Sequence, residues 1–360
     1  MRKLSGKKLL TVSLLAVTLV FGLVGCGTDD TSSDDAGVTK ENVVDENTKK
    51  NDSSEELKTL RMGTNELNDE PIMDLATVAY DKELLEEELN KIGYTLDLRT
   101  FAGAGPEINE ALASGNLDVA VYGDFPGYLC ESNGIDTTLV AMANSYMQYG
   151  IIATDKNIKE PKDLEGKKVI VGQGQVTQFF WEQYVNAKDI DASKVEIINS
   201  NDFQSLLSSG EADAFVNVLY LVKYLESLGL GTVFDDGSDV PDGYTTYVAI
   251  VRNEILEKNP EIGVAINKAL IRAYEIVKEN PQEYYDSLAT SAMSAEIMAT
   301  GYAFNPSLSH LDPKIGDEQL AYFDKLNNWM YDNGIISEKI DLSKFVDVSF
   351  YETAKQELEK

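Results

Sequence analysis

The sequence predicts an α/β fold built as two similar lobes. Strand-period and helix-period segments alternate from Thr59 onward, which argues for mainly parallel sheets. A seven-residue pattern then recurs: Leu112-Ala113-Ser114-Gly115-Asn116-Leu117-Asp118 against Leu207-Ser208-Ser209-Gly210-Glu211-Ala212-Asp213, at a constant offset of 95. The length, 360 residues, suits about two domains at roughly 100–200 residues each.

The first 25 residues stand apart from that pattern. Arg2, Lys3, Lys7 and Lys8 precede an apolar run from Leu9 to Val24, the pattern of an export signal and short for a membrane span. Leu23-Val24-Gly25-Cys26 resembles a bacterial lipobox, in which the cysteine is lipidated and becomes the first mature residue. Residues 26–58 hold almost no large apolar side chains and read as a disordered acidic tether. Cys130 is then left without a partner and reads as a small buried hydrophobe.

Composition excludes several functions. With 31 Lys+Arg, 61 Asp+Glu and a formal charge of −30, the chain is no binder of nucleic acid, whose phosphates demand a basic surface. Its single histidine cannot supply HExxH zinc chemistry, and its two cysteines cannot build a zinc ribbon or a disulfide scaffold. No metal and no cofactor is expected, and nothing in the sequence asks for an obligate oligomer, so a monomer is expected.

Along the body, Thr59–Gly63 reads as a strand, and Asp74–Ile92 as one helix with Leu75, Val78, Leu85, Leu89 and Ile92 on one face. Tyr94–Phe101 alternates as a strand. Pro106 opens a short helix that Gly115 closes, and Leu117–Tyr122 is a third strand. The order returns with Lys168–Gly172, a helix over Gln178–Asn186, a strand over Val195–Asn199, a helix over Asp202–Ser209 and a strand over Ala214–Val218. Tyr244–Val251 is an extended run placed to cross back into the first lobe. Asn259–Glu279, Pro281–Ala289, Asp317–Asp332 and the turns from Tyr351 have helical period. Lobe 1 is expected to comprise 59–148 with 248–360, and lobe 2 149–247.

In open α/β sheets, ligands bind beyond the carboxyl ends of strands. Those ends are Gly63–Glu66, Ala102–Pro106, Gly123–Pro126, Gly172–Thr177 and Asn217–Tyr220. Helix N-termini there offer N–H groups to an anion or a carbonyl without basic side chains. Gly172–Thr177 has G-x-G-x-x-T, which lacks the third glycine of a dinucleotide site; no G-x-S-x-G elbow and no Walker loop occurs. His310, in a polar stretch, reads as a surface histidine. Glu86-Glu87-Glu88 reads as an exposed helix face. Of 18 tyrosines, Tyr146, Tyr149, Tyr220, Tyr244 and Tyr247 fall near the lobe edges, where an aromatic wall for a ligand and interlobe packing both fit.

Together these residues resemble the substrate-binding proteins of ABC importers in the nitrate, sulfonate and taurine group. The resemblance runs from Leu60 to about Val251. It rests on Phe101–Pro106, Glu110–Leu112, Ser114-Gly115, Asp118, Gly123–Pro126, Asp163–Val169, Gly172–Gln178, Gly210 and Asp213–Phe215. It implies a two-lobed periplasmic-binding-protein-like fold of type II. Two crossover strands join the lobes, which close on a small polar solute. It further implies delivery to an ABC permease and its ATPase, and no enzymatic activity. With the lipobox it implies an extracytoplasmic protein, lipid-anchored through Cys26 on the membrane of a Gram-positive cell.

The candidate ligand-binding residues are Asn65, Glu66, Gly105, Pro106, Gly123, Asp124, Gln173, Gln175, Val176, Thr177, Gln178, Asn217, Tyr220 and Tyr247. Two departures bear on the ligand. Gln175 and Val176 replace the small hydroxyl residues common in sulfonate binders, and Val218-Leu219-Tyr220 replaces a Trp-Asp-Pro run. Glu66, if it faced the cleft, would repel a sulfonate and attract an ammonium, amidinium or guanidinium group; it could equally point to solvent. The alternatives are thus a transport role for a cationic or nitrogen-rich ligand, such as an amine or a pyrimidine, and an enzyme like those of thiamine-pyrimidine formation. The latter need iron chemistry and histidines, which this chain lacks.

Overall fold

The structure, a computed structural model, describes residues 57–67 and 69–360. The expected export signal, the lipobox Cys26 and the tether up to residue 56 lie outside the described residues. Lys58, expected to end the tether, is instead the first residue of a strand.

The strands are β1 (Lys58–Leu67), β2 (Glu70–Ile72), β3 (Tyr94–Phe101), β4 (Val119–Gly123), β5 (Thr137–Ala153), β6 (Lys168–Ile170), β7 (Glu196–Ile198), β8 (Ala214–Val218), β9 (Thr232–Asp235) and β10 (Tyr244–Arg252). In the first half the helices are α1 (Leu75–Asp81), α2 (Leu84–Lys91), α3 (Ala104–Ala113) and α4 (Asp124–Ser132). In the second they are α5 (Val176–Ala187), α6 (Phe203–Ser209) and α7 (Leu219–Ser227). The helical remainder comprises α8 (Asn253–Lys258), α9 (Glu261–Glu279), α10 (Pro281–Leu288), α11 (Ala295–Gly301), α12 (Asp317–Asp332), α13 (Leu342–Phe345) and α14 (Ser349–Leu358).

Two parallel motifs share one long strand. β1 pairs in parallel with β3 and β4, and β6 pairs in parallel with β7 and β8. β5 joins them: its residues 137–148 pair with β10, which pairs with β4, and its residues 149–153 pair with β8. β5 is buried along its whole length except at Ser145 and Tyr146, so it shows no in–out alternation and gives no period-2 signal.

The predicted helix over Asp74–Ile92 is two helices, broken at Lys82 and at Glu83, which has φ 60°. No glycine or proline marks the break. The two pieces pack separately on α9, and Arg272 of α9 reaches Glu87 at 2.7 Å. Glu88 corrects the reading of an exposed acidic face: it is 4% exposed and salt-bridged to Lys91 and Arg272. β1 runs past its expected end to Leu67 because β2 folds back on it, pairing Asn65 with Ile72 and Glu66 with Pro71.

Candidate functional site

The register brings the carboxyl ends of both parallel motifs to one place. At the end of β4, Gly123 pairs with Tyr247 of β10, which pairs with Asn144 of β5. At the end of β8, Asn217 and Val218 pair with Gly150 and Tyr149. The two motifs thus meet along Asn144–Tyr149, with Tyr244 paired to Gln148. A groove of about 740 Å³ near Ala153–Asp155 is elsewhere, because Ala153 pairs with Ala214 at the opposite, amino end of β8.

Tyrosine dominates this meeting point. Tyr146 stacks on Tyr244 at 4.3 Å and Tyr244 on Tyr322 of α12 at 4.4 Å, a slab of three rings. A second stack runs from Tyr220 at the start of α7 to Tyr302 at 6.3 Å, and from Tyr302 to His310 at 5.5 Å. Tyr149 stacks on Phe180 at 4.9 Å.

Asp74 anchors the second stack. It precedes α1, is 2% exposed, and accepts from Tyr284 Oη at 2.6 Å, Asn144 Nδ2 at 2.9 Å and Tyr302 Oη at 3.1 Å. Burial raises its pKa to about 6, against the pull of those donors. Asn65 Nδ2 donates to Tyr247 Oη at 2.8 Å, and Tyr247 Oη donates to the Ile72 carbonyl at 3.2 Å.

Several expected site residues are occupied within the fold. Asp124 is fully buried; it accepts from Thr245 Oγ1 at 2.8 Å and from Thr246 N and Oγ1 at 3.0 Å, so its carboxylate braces α4 against β10. Burial raises its pKa too. Thr177 Oγ1 donates to the Gly172 carbonyl at 3.0 Å, and Gln178 Oε1 accepts from Gly174 N at 2.9 Å, so both close their own loop. Gln173 N donates to Asn199 Oδ1 at 3.1 Å, leaving its side chain exposed like that of Gln175; Val176 is half-buried. Asn217 Oδ1 accepts from Val218 N at 2.9 Å. Gly105 sits so close to α4 that an added Cβ would lie 2.5 Å from Pro126 Cβ, while Pro106 is exposed. Gly123 and Glu66 are half-buried.

His310 is not a surface histidine. It is 4% exposed, held by the Tyr302 stack and by Ser145 Oγ, which donates to its carbonyl at 2.9 Å. Sequence reasoning also missed Asp74, Asn144, Tyr302 and Tyr322. Their neighbours carry no motif, and only long-range contacts assemble them. A bond joins α5 to α12 of the helical remainder: Trp329 Nε1 donates to Glu182 Oε2 at 2.7 Å, with Phe179 packed against the Trp329 ring at 5.1 Å. Cys130 is fully buried, and burial pushes its thiol up to about 12, which removes it as a nucleophile.

The chain is similar in sequence and in fold to several known proteins. A Bacillus subtilis (strain 168) protein named for binding aliphatic sulfonates is 22% identical over 349 residues, 96% of each chain. The taurine-binding periplasmic protein of Escherichia coli (strain K12) is 28% identical over 193 residues, 52% of this chain and 59% of that one. In fold, the periplasmic sulfonate-binding protein SsuA of Methylobacillus flagellatus KT superposes with a TM-score of 0.74 at 24% identity, covering 84% of this chain and 96% of its own. The pattern described as NMT1/THI5 like matches residues 95–284, more than half of the sequence, and the chain belongs to that family.

Proposed function

We propose that the protein is an extracytoplasmic solute-binding component of an ABC importer. It captures a small polar solute of the aliphatic-sulfonate and taurine group and delivers it to a permease and its ATPase. The observation that carries this reading is the meeting of two parallel motifs at their carboxyl ends along Asn144–Tyr149, the place where α/β sheets bind ligands. The end-to-end likeness to a relative named for binding sulfonates supports it.

In this reading residues 59–148 with 248–360 form one lobe and 149–247 the other, hinged where β5 passes between the motifs and where the chain enters β10. Ligand shifts the population toward the closed form by touching both lobes. Asn65, Gly105, Gly123, Tyr220 and Tyr247 line the contact, and the start of α5 presents the backbone N–H groups of Gln175–Thr177. Cys26 carries the lipid that holds a monomer at the outer face of the membrane. The activity is capture, without a chemical step.

A thermal-shift screen tests it, since a ligand of the folded state raises apparent stability by mass action. The full chain is heated with alkanesulfonates, taurine, nitrate, bicarbonate, pyrimidines, amines and guanidinium compounds. A saturable rise with one class is expected; a flat response to every class argues against solute capture. Labelling with radioactive palmitate, lost in Cys26→Ser, tests the anchor.

A further inference from the structure

Three hydrogen bonds run in series from the loop before α5 to α12. Gly174 N donates to Gln178 Oε1 at 2.9 Å, and Gln178 Nε2 donates to Glu182 Oε1 at 2.9 Å. Trp329 Nε1 of α12 donates to Glu182 Oε2 at 2.7 Å. Gln178 and Glu182 are four residues apart, so they lie on one face of α5. The series starts at an exposed glycine, passes two half-buried side chains and ends on a buried ring.

Glu182 is the joint of this series. Glu87, Glu254 and Glu275, on other helices, pair with Lys or Arg. Both oxygens of Glu182 are instead taken by neutral donors, one on its own helix and one on α12. Bonds to a charged acceptor are stronger than neutral pairs. A carboxylate is also planar and rigid, so its two oxygens turn together. The rotamer that meets Trp329 is therefore the one that meets Gln178.

The Trp329 ring is seated between two helices that follow strand ends. Phe179, in the first turn of α5, meets it edge-on at 5.1 Å, and Phe125, in the first turn of α4, lies at 6.5 Å. α12 is held to β10 as well, where Tyr322 Oη donates to the Tyr244 carbonyl at 3.1 Å.

We propose that Glu182 is a positioning residue for the Gly172–Gln178 loop. It couples the form of that loop to the seating of α12, so that the Gly174 turn is held only while α5 and α12 are joined. This inference rests on the solute-capture reading above, in which the start of α5 receives solute and the two helices belong to different lobes. Separation of the lobes then breaks the Trp329 bond, frees Gln178 and loosens the loop, and closure restores all three. Loop order and lobe closure are one event.

Hydrogen exchange measured by NMR on the full chain, without solute, tests the coupling. The chain has two tryptophans, so Trp181→Phe assigns the Trp329 indole signal. Trp329→Phe, which leaves every residue of α5 unchanged, is expected to speed exchange of the Gly174 amide by about fivefold or more. Gln178→Met is expected to speed exchange of the Trp329 indole N–H by a similar factor, since coupling is reciprocal. Should Trp329→Phe not fold, Glu182→Ala read at Gly174 and Gln178→Met read at Trp329 carry the test. A Gly174 amide unmoved by Trp329→Phe in a folded protein overturns the inference and leaves solute capture standing. Coupling in a protein that gives no shift in the wider solute screen removes the solute site that the coupling was proposed to serve.

Discussion

Asp118 and Asp213, 95 residues apart, perform the same task in the two parallel motifs. Oδ2 of each accepts a backbone N–H from the adjacent strand, Arg61 N at 2.9 Å and Lys168 N at 2.8 Å. The N–H of each donates to the carbonyl of that same residue at 2.9 Å. In each case the aspartate comes just before the strand, after a glycine in the left-handed region, Gly115 at φ 72° and Gly210 at φ 73°. The repeated heptad is therefore one clasp used twice.

The two clasps differ in burial, which sets a prediction. Asp118 is 3% exposed and also binds the Arg61 guanidinium, whose Nε donates to Oδ2 at 2.9 Å. Asp118→Ala takes the carboxylate from that guanidinium, leaving it only the Gly115 carbonyl at 2.6 Å, and is expected to cost about 2–3 kcal/mol, the partial exposure of Arg61 keeping it below the full value for a buried pair. Asp213→Ala loses a bond to a backbone N–H and is expected to cost about 1 kcal/mol. Urea unfolding of both variants checks the order; equal losses would refute it.

Gly301 ends α11 against the first turn of α7. A Cβ there would lie 2.5 Å from Tyr220 Cβ and 2.6 Å from Tyr220 Cα, and the Cα belongs to backbone that cannot swing away. Gly301→Ala is expected to lower stability by roughly 1–3 kcal/mol through overpacking. It is also expected to displace Tyr220 from Tyr302. Thermal melts, together with the affinity for whatever solute the screen identifies, check both effects.

Asp74 makes stability fall with rising pH. Its folded pKa of about 6 lies above the ordinary 3.8, so the folded state holds the proton over the window between them. The contribution of this group is therefore most favourable below about pH 4, declines through the window and is flat above about pH 6, for a total of about 3 kcal/mol. Asp74→Asn is expected to flatten that segment of the curve. Chemical denaturation at half-unit steps from pH 4 to 7, in both proteins, measures it.

Cys130 is expected to be chemically silent in the native protein. Full burial and a thiol pKa near about 12 leave almost no thiolate at pH 8. In a Cys26→Ser chain, maleimide labelling should appear only on unfolding in urea. Rapid labelling without denaturant would show that α4 opens.

Local pattern carried the parallel motifs well. Tyr94–Phe101 and Ala214–Val218 are strands with the expected bounds, and Asp317–Asp332 is the expected helix. Each has a single buried face or a clear end signal. The break at Lys82–Glu83 has no such signal, and the extension of β1 to Leu67 depends on β2 folding back. Of the expected site, the strand-end loops are where the alternation placed them, but Asp124, Thr177 and Gln178 spend their polar atoms on neighbouring backbone and side chains.

The sequence by itself determined the α/β class, the duplicated clasp and the likeness to solute-binding proteins, because these rest on short-range periodicity and on motifs written contiguously. Only the tertiary structure decided what the meeting point contains. Asp74, Asn144, Tyr284, Tyr302 and His310 are far apart in the chain, and each looks ordinary among its neighbours. Their chemistry arises from shared burial. Low dielectric raises the Asp74 carboxyl and lowers the His310 imidazole to about 3, and whether a polar atom finds a partner there is settled by packing at long range.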